Sequence, residues 1–377
     1  MSMEDGPNPR RAAREGLGRT TWMIIAVAVV VVLGGAAVGA YFGGVFNRPG
    51  LDPLPDPVAG SLSYSPTPTP SPTPPPPPPR WALTGQLGDI AERPALVVKV
   101  ENSADARPQT GLEDADLVFE EMVEGGISRY AAVFHSTLPA QVLPIRSIRP
   151  MDGPLTGWTH GLIAFSGGQA QFIDRARADG LQIFSMDAGA PGFSRVRGRV
   201  APHNVGGDPQ VFISRADADH QASPPPFCDF DTEGTGGTAA SQGTPAARIA
   251  VTISTIARPN WDWDAATGRW LRSEGSQRAL AASGAQLAAT NVLVLSVDVV
   301  TLPGTDAAGT HIPETIVVGG GSGLVASDGM TAPITWQKDS ETDVWHFRDA
   351  NGAPVLLTPG NTWIELVPRG TGNWSVS

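Results

Sequence analysis

The sequence predicts an α+β protein. An N-terminal α/β layer domain (residues 81–221) and a mainly antiparallel β domain (248–377) follow a transmembrane helix and a proline-rich linker. Three observations predict it. Trp22 to Gly44 is an uncharged apolar run, and a stretch dense in proline follows it. Buried-strand and helix patterns alternate between residues 95 and 219. From residue 248 onward, short β-branched and aromatic runs are separated by turn residues.

Residues 1–21 form a basic tail, with Arg10, Arg11, Arg14 and Arg19 before the apolar run and only Arg48 soon after it. The run, 22–44, is long enough to cross a hydrocarbon core of about 30 Å. The positive-inside rule places the tail in the cytoplasm and the rest outside. A cleaved signal peptide is the competing reading, with Val38-Gly39-Ala40 as cleavage site, but its apolar core would run only about 7–15 residues. The expectation is an uncleaved signal anchor in the cell membrane, single-pass, with both domains extracytoplasmic. Residues 45–80 are a Pro/Thr-rich linker. Proline fixes φ and removes a donor, so this stretch reads as extended polyproline of about 3 Å per residue, with a reach of up to about 100 Å.

In the first domain, ALVVKVE (95–101) is a continuous apolar run typical of a buried strand. ADLVFEEMV (115–123) and SRYAAVFHS (128–136) flank a tight connection at Glu124-Gly125-Gly126. GLIAFSGG (161–168) reads as another buried strand, and QAQFIDRARA (169–178) as a helix stopped by Gly180. Asp208-Pro209 opens a second helix, expected to run to about Asp219. Residues 222–247 lack periodicity and form a linker or a long loop. The second domain offers strands at 248–254, 269–273, 291–300, 315–319, 332–338, 344–349, 354–358 and 362–368, and a short helix near Gln277–Ala289. Its tryptophans would line a sugar groove or, at strand spacing, fill a core; the core reading is preferred.

The chain has 377 residues and a formal net charge of −11, which argues against nucleic acid as a partner. Any anion site must be a local pocket. Only Lys99 and Lys338 among the basic residues are lysine, so arginine is the default cation and its mere presence says little. Cys228 is the only cysteine, which excludes an intrachain disulfide. No metal-ligand spacing, HExxH or GxSxG occurs, and neither a metal nor a cofactor is expected.

The polar residues concentrate in the first domain. Glu101 and Asn102 end a buried strand, and Arg107, Glu120, Glu121, Glu124 and Arg129 follow. PIRSIRP (144–150) adds Arg146 and Arg149; Ser166-Gly167-Gly168 lead into a helix; His203-Asn204 lie downstream. Guanidinium groups at strand ends, beside a glycine turn at a helix start, suit a phosphate or carboxylate. Alternatively, the four arginines pair with the four glutamates and hold the fold. Glycosidase chemistry would need paired carboxylates on one face, whereas adjacent strand residues such as Glu120 and Glu121 point opposite ways.

VKVENSADARPQTGLEDADLVFEEMVEGGISRYAAVFHS (98–136), PIRSIRP, SGGQAQF (166–172) and APHNVGG (201–207) resemble the YerB-like lipoproteins, domain-of-unknown-function family 3048. Residues 261–295, TWQK (335–338) and PVLLTPGNTWIELVP (354–368) resemble that family's C-terminal domain. The resemblance implies a two-domain, envelope-attached protein without an established activity. The chain departs from the family in three places. It has no lipobox cysteine, Phe165-Ser166 stand where relatives often carry a histidine before the glycine pair, and Ser276–Ser283 are less acidic and lack histidine. The leading expectation is a membrane-anchored binding or scaffold protein. Its ligand residues would be Glu101, Asn102, Arg107, Glu124, Arg129, Arg146, Arg149, Ser166, Gly167, Gly168, His203 and Asn204, forming one cleft for an anionic cell-wall or lipid-phosphate component. The alternatives are an envelope transferase or hydrolase with Glu101, Glu120 or Glu124 as acid/base, and a structural partner of other envelope proteins.

Overall fold

LVVKVE (Leu96–Glu101, β1) is buried at every position, because both faces of the sheet it joins are covered. The computed structural model describes residues 78–306 and 308–377, so the tail, the membrane-span reading and most of the linker lie outside the described residues. Within them, strand predominates. β2 (Leu117–Met122) and β3 (Ser128–Phe134) follow, joined at Glu124-Gly125-Gly126 as the sequence indicates, with positive φ at both glycines. Then come α1 (Asp152–Thr156), β4 (Leu162–Phe165), α2 (Ala170–Ala178) and β5 (Gln182–Ser185). β6 (Phe193–Arg195) and β7 (Val205–Gly207) pair with each other, and α3 (Pro209–Ile213) and α4 (Thr238–Gln242) follow. The second half supplies β8 (Arg248–Thr252), β9 (Pro259–Asp264), β10 (Arg269–Glu274) and β11 (Asn291–Thr305). After these come β12 (His311–Ile316), β13 (Gly319–Ser327), β14 (Met330–Lys338) and β15 (His346–Asp349), then β16 (Thr362–Pro368) and β17 (Asn373–Val376).

One mixed, 12-stranded sheet takes strands from both halves, in the order β15-β14-β13-β11-β16-β2-β3-β1-β4-β5. β12 pairs with β11, and Thr244–Pro245 with β14. The halves join where β2 runs parallel to β16, with Glu120 opposite Glu365. Alternate residues of the central strands enter two cores. Val97, Phe119 and Val133 pack with Trp158, Phe172, Phe227 and Trp345 on one face. Val98, Val118 and Ala132 face Ile249, Trp261 and Trp270 on the other. Those last three belong to a six-stranded sheet with β8, β9, β10 and β17. The α+β class therefore holds, with mixed and antiparallel sheets. Trp261, Trp270, Trp336, Trp345 and Trp363 are all buried, so the core reading describes them.

Two local expectations are corrected. The helix opened by Asp208 is capped as expected, its carboxylate accepting from Gln210 N and Val211 N, but it ends at Ile213. A separate 3-10 turn, Ala218–His220, follows it. No helix forms near Gln277–Ala289; Gln277–Arg278 and Ala288–Ala289 both pair with β10. The 222–247 segment is packed against the sheets, with Phe227 fully buried.

Candidate functional site

PIRSIRP threads between β1, the end of β4 and the start of β7, where Val205 O accepts from Ile145 N at 2.7 Å. Arg146 N donates to Lys99 O, Ser166 N to Arg146 O, and Ile148 N to Gly167 O, at 2.9–3.0 Å. Ile145 and Ile148 are fully buried and anchor the segment. Arg146 and Arg149, one residue further on in each case, line a cleft of about 460 Å³ with Arg129, Glu124 and Gly168. Asp306 and Ala308 close it from the β11–β12 hairpin, and Gln169 and Phe172 from the first turn of α2.

The arginines differ in how far the protein satisfies them. Arg149 is committed: Nη2 donates to Glu124 Oε2 at 2.7 Å, and Nε lies 2.6 Å from Oε1. Arg146 is loosely held, with Nε 3.5 Å from Glu101 Oε2, an oxygen that His203 Nδ1 also contacts at 2.9 Å. Arg129 has no ion pair among the described residues. It is only 5% exposed, its Nη1 donates to Ser147 O at 3.1 Å, and its buried Nε has no partner. The cause lies in the ladder. Arg129 sits in register between Glu101 of β1 and Glu121 of β2, and cross-strand neighbours share a face. Both carboxylates are taken elsewhere, Glu101 by His203, Arg146 and Ser103, and Glu121 by Lys99. Burial, and then the charge of Arg149, lower the Arg129 pKa to about 10. A guanidinium held this way favours the arrival of an anion.

Lys99 stands behind the cleft, fully buried, paired with Glu121 and with Asp152 at 2.7 Å. Burial, together with the charges of Arg129 and Arg149, lowers its pKa to about 8 despite Asp152.

The remaining candidates separate into neighbouring places. Asn102 is saturated: Glu120, Ser128 and Glu274 all lie within hydrogen-bond distance of Nδ2, one acceptor more than its two N–H groups, and Oδ1 accepts from Arg107 and Gln109. Arg107 also reaches Glu274 at 3.4 Å. With His203 it lines a different cleft, of about 510 Å³. Asn204 Oδ1 accepts from Arg195. A Cβ on Gly167 would fall 1.9 Å from Asp187 Oδ2, and one on Gly168 would fall 2.4 Å from Ile148 Cγ2. These glycines therefore serve close packing, and Ser166 contributes backbone bonds at that crossing. The single cleft expected from sequence is thus a primary cleft around Arg129, Arg146 and Arg149 and a second one around Arg107 and His203.

Two family models match the chain. A "Protein of unknown function (DUF3048) N-terminal domain" covers residues 83–222, and the corresponding C-terminal domain covers residues 249–364. The chain belongs to the DUF3048 family. It is 34% identical to "Putative lipoprotein YerB" of Bacillus subtilis (strain 168) over 113 residues. That match covers 27% of this chain and only about a third (34%) of the relative's length. The crystal structure of the YerB protein from Bacillus subtilis matches with a TM-score of 0.65 at 22% identity, covering 78% of this chain and 99% of that one. At that identity the likeness shows the fold. The two DUF3048 segments thus contribute strands to one sheet here, and each core draws side chains from both.

The polar centre that sequence reasoning missed lies between the DUF3048 segments. Arg272, fully buried, donates to Glu120 at 2.6 Å, Glu274 at 2.7 Å and Tyr130 OH at 3.1 Å, and lies 3.3 Å from Glu365. The rings of Trp363, Trp261 and Tyr130 surround its guanidinium at 4.9, 5.4 and 5.6 Å. Burial alone would lower its pKa, but Glu120, Glu274, Tyr130 and Glu365 together hold it well above the ordinary value. Burial and the neighbouring Glu120 raise the pKa of Glu365 well above its ordinary value, so this carboxyl resists ionisation. Glu120 is spent here and Glu124 on Arg149, so neither is placed as a free acid/base.

Proposed function

We propose that this protein is an extracytoplasmic, membrane-attached envelope protein whose Arg129–Arg146–Arg149 cleft binds an oxyanion of an envelope component. The name of the Bacillus relative, a putative lipoprotein, supports the envelope setting, as do the apolar run and the linker in the sequence. One observation carries the binding reading: Arg129 is buried, lacks an ion-pair partner among the described residues and lines the cleft. Leaving a buried charge without a partner is expensive, and such a group is retained where a ligand completes it. The first turn of α2 adds N–H groups with no side-chain cap, next to Gly168. Glu124 and Asp306 line the same cleft and restrict how deeply an anion enters.

The test is thermal unfolding of the full chain in detergent against phosphate and pyrophosphate, with Arg129→Gln as the control. Saturation at about 100 times the dissociation constant adds about 2.7 kcal/mol, which for a unit of this size raises Tm by about 4 °C. Arg129→Gln abolishes that shift. Without ligand the variant is as stable as the wild type or more so, since the charge it removes is already disfavoured. A wild type that shows no shift, together with a destabilised variant, would make Arg129 structural and end the proposal.

A further inference from the structure

The second basic cleft adjoins the first. Arg146, which lines one, and His203, which lines the other, contact the same Glu101 oxygen. Arg146 also reaches Pro202 O at 3.5 Å, on the loop that walls the second cleft. That loop, residues 195–203, reads RVRGRVAPH: three arginines, a histidine and no acid, in a chain of net charge −11. Gly198 turns its tip at φ +85°, leaving Arg195 and Arg197 exposed. Arg199 pins the loop to the body through Ala106 O at 2.7 Å and through Pro108 O. Arg107 and Arg199 thus line a cleft that neighbours the Arg129 site across Glu101, and Asp105 is the one carboxylate among its lining residues.

We infer that the ligand of the Arg129 cleft is a chain of repeated phosphates. One phosphate sits at Arg129, and its successors run past Glu101 along His203, Arg107 and Arg199 to Arg197. The inference rests on the oxyanion reading above and names the class of ligand. A lone anion would use only the first cleft and leave the basic loop without a purpose. A chain engages both, and its second contact is intramolecular once the first is made. Glu101 between the clefts does not repel the chain, because Arg146 and His203 both face its carboxylate. Phosphate is favoured over carboxylate because donors converge on the first cleft from three elements: Arg129 on β3, Arg146 on the PIRSIRP segment and the first turn of α2. That is more directions than a planar two-oxygen group uses.

The experiment measures binding of pyrophosphate, long-chain inorganic polyphosphate and polygalacturonate to the full chain in detergent, expressed per anionic group. Polyphosphate is expected to bind at least about tenfold tighter than pyrophosphate. Arg197→Glu, and separately Arg199→Ala, should bring polyphosphate to within about threefold of pyrophosphate and leave pyrophosphate itself unchanged. Arg129→Gln removes both. Equal affinity for the two phosphates, or polyphosphate binding indifferent to Arg197→Glu, overturns the chain-ligand inference and leaves the single-anion reading standing. Tighter binding of polygalacturonate overturns the choice of phosphate. Failure of pyrophosphate and polyphosphate alike defeats the underlying reading as well.

Discussion

Arg272 and Arg129 are both buried guanidinium groups, and they are satisfied in opposite ways. Arg272 sits between the two sheets with three glutamates and a tyrosine hydroxyl around it and three aromatic rings against its faces. Arg129 sits at the end of a strand with one carbonyl and an open cleft. Burial opposes the charge in both. At Arg272 the carboxylates prevail and the pKa rises; at Arg129 they are engaged elsewhere and it falls to about 10. The protein completes Arg272 by itself and leaves Arg129 beside the cleft with no carboxylate partner among the described residues. Equal burial therefore leaves the two guanidinium groups in different electrostatic settings, and the destination of the nearby carboxylates sets the difference.

The largest effect that would test this contrast is at Arg272. Arg272→Met leaves Glu120 and Glu274 buried with only Arg107 nearby, and breaking such a network costs about 3–5 kcal/mol. Urea unfolding should show that loss, with the anion-induced shift preserved at temperatures where the variant is folded. Arg272→Lys should rescue little, because an ammonium cannot fork to several carboxylates. A variant as stable as the wild type would erase the distinction. A smaller loss, about 1–3 kcal/mol, is expected for Arg149→Ala, which strands Glu124 in its pocket. Arg149→Ala with Glu124→Gln should recover most of it. Arg129→Gln completes the series, with no loss of stability and full loss of binding.

Much of this was legible in the sequence, for reasons that can be located. β1, β2, β3, β4, α2 and β16 follow from local apolar runs, glycine turns and stop signals, and all lie close to where those signals place them. The opposed directions of Glu120 and Glu121 also follow from strand geometry; one meets Arg272 and the other Lys99. The three cleft arginines were identified, but their ranking was not. Which guanidinium stays unpaired depends on Glu101 turning to His203, a contact across 102 residues. Arg272 was read only as part of a strand, since its partners Glu120 and Glu365 lie 152 and 93 residues away. β9 was missed because PNWDWD carries two aspartates, and its tryptophans are the only sign of its buried side. The shared sheet was not legible either: the parallel pairing of β2 with β16 joins two segments that each read as self-contained.

The smallest effect expected is a pH dependence on the Arg129 side. Lys99 behind the cleft has its pKa lowered to about 8, in part by Arg129 and Arg149. Between about pH 8 and the unfolded value of 10.5 the unfolded chain holds this proton and the folded chain does not. The contribution of Lys99 to stability therefore rises with pH across that window. Binding runs the other way. An anion beside Arg129 favours the protonated lysine, so its affinity should fall by about two- to threefold as pH rises from 7 to 9, and binding near pH 8 should take up protons. Calorimetry in buffers of different ionisation heats measures that uptake directly. Affinity that is constant from pH 7 to 9, with no proton uptake, would mean that Lys99 does not sense the anion, and the ligand would then have to sit further out, nearer Arg146.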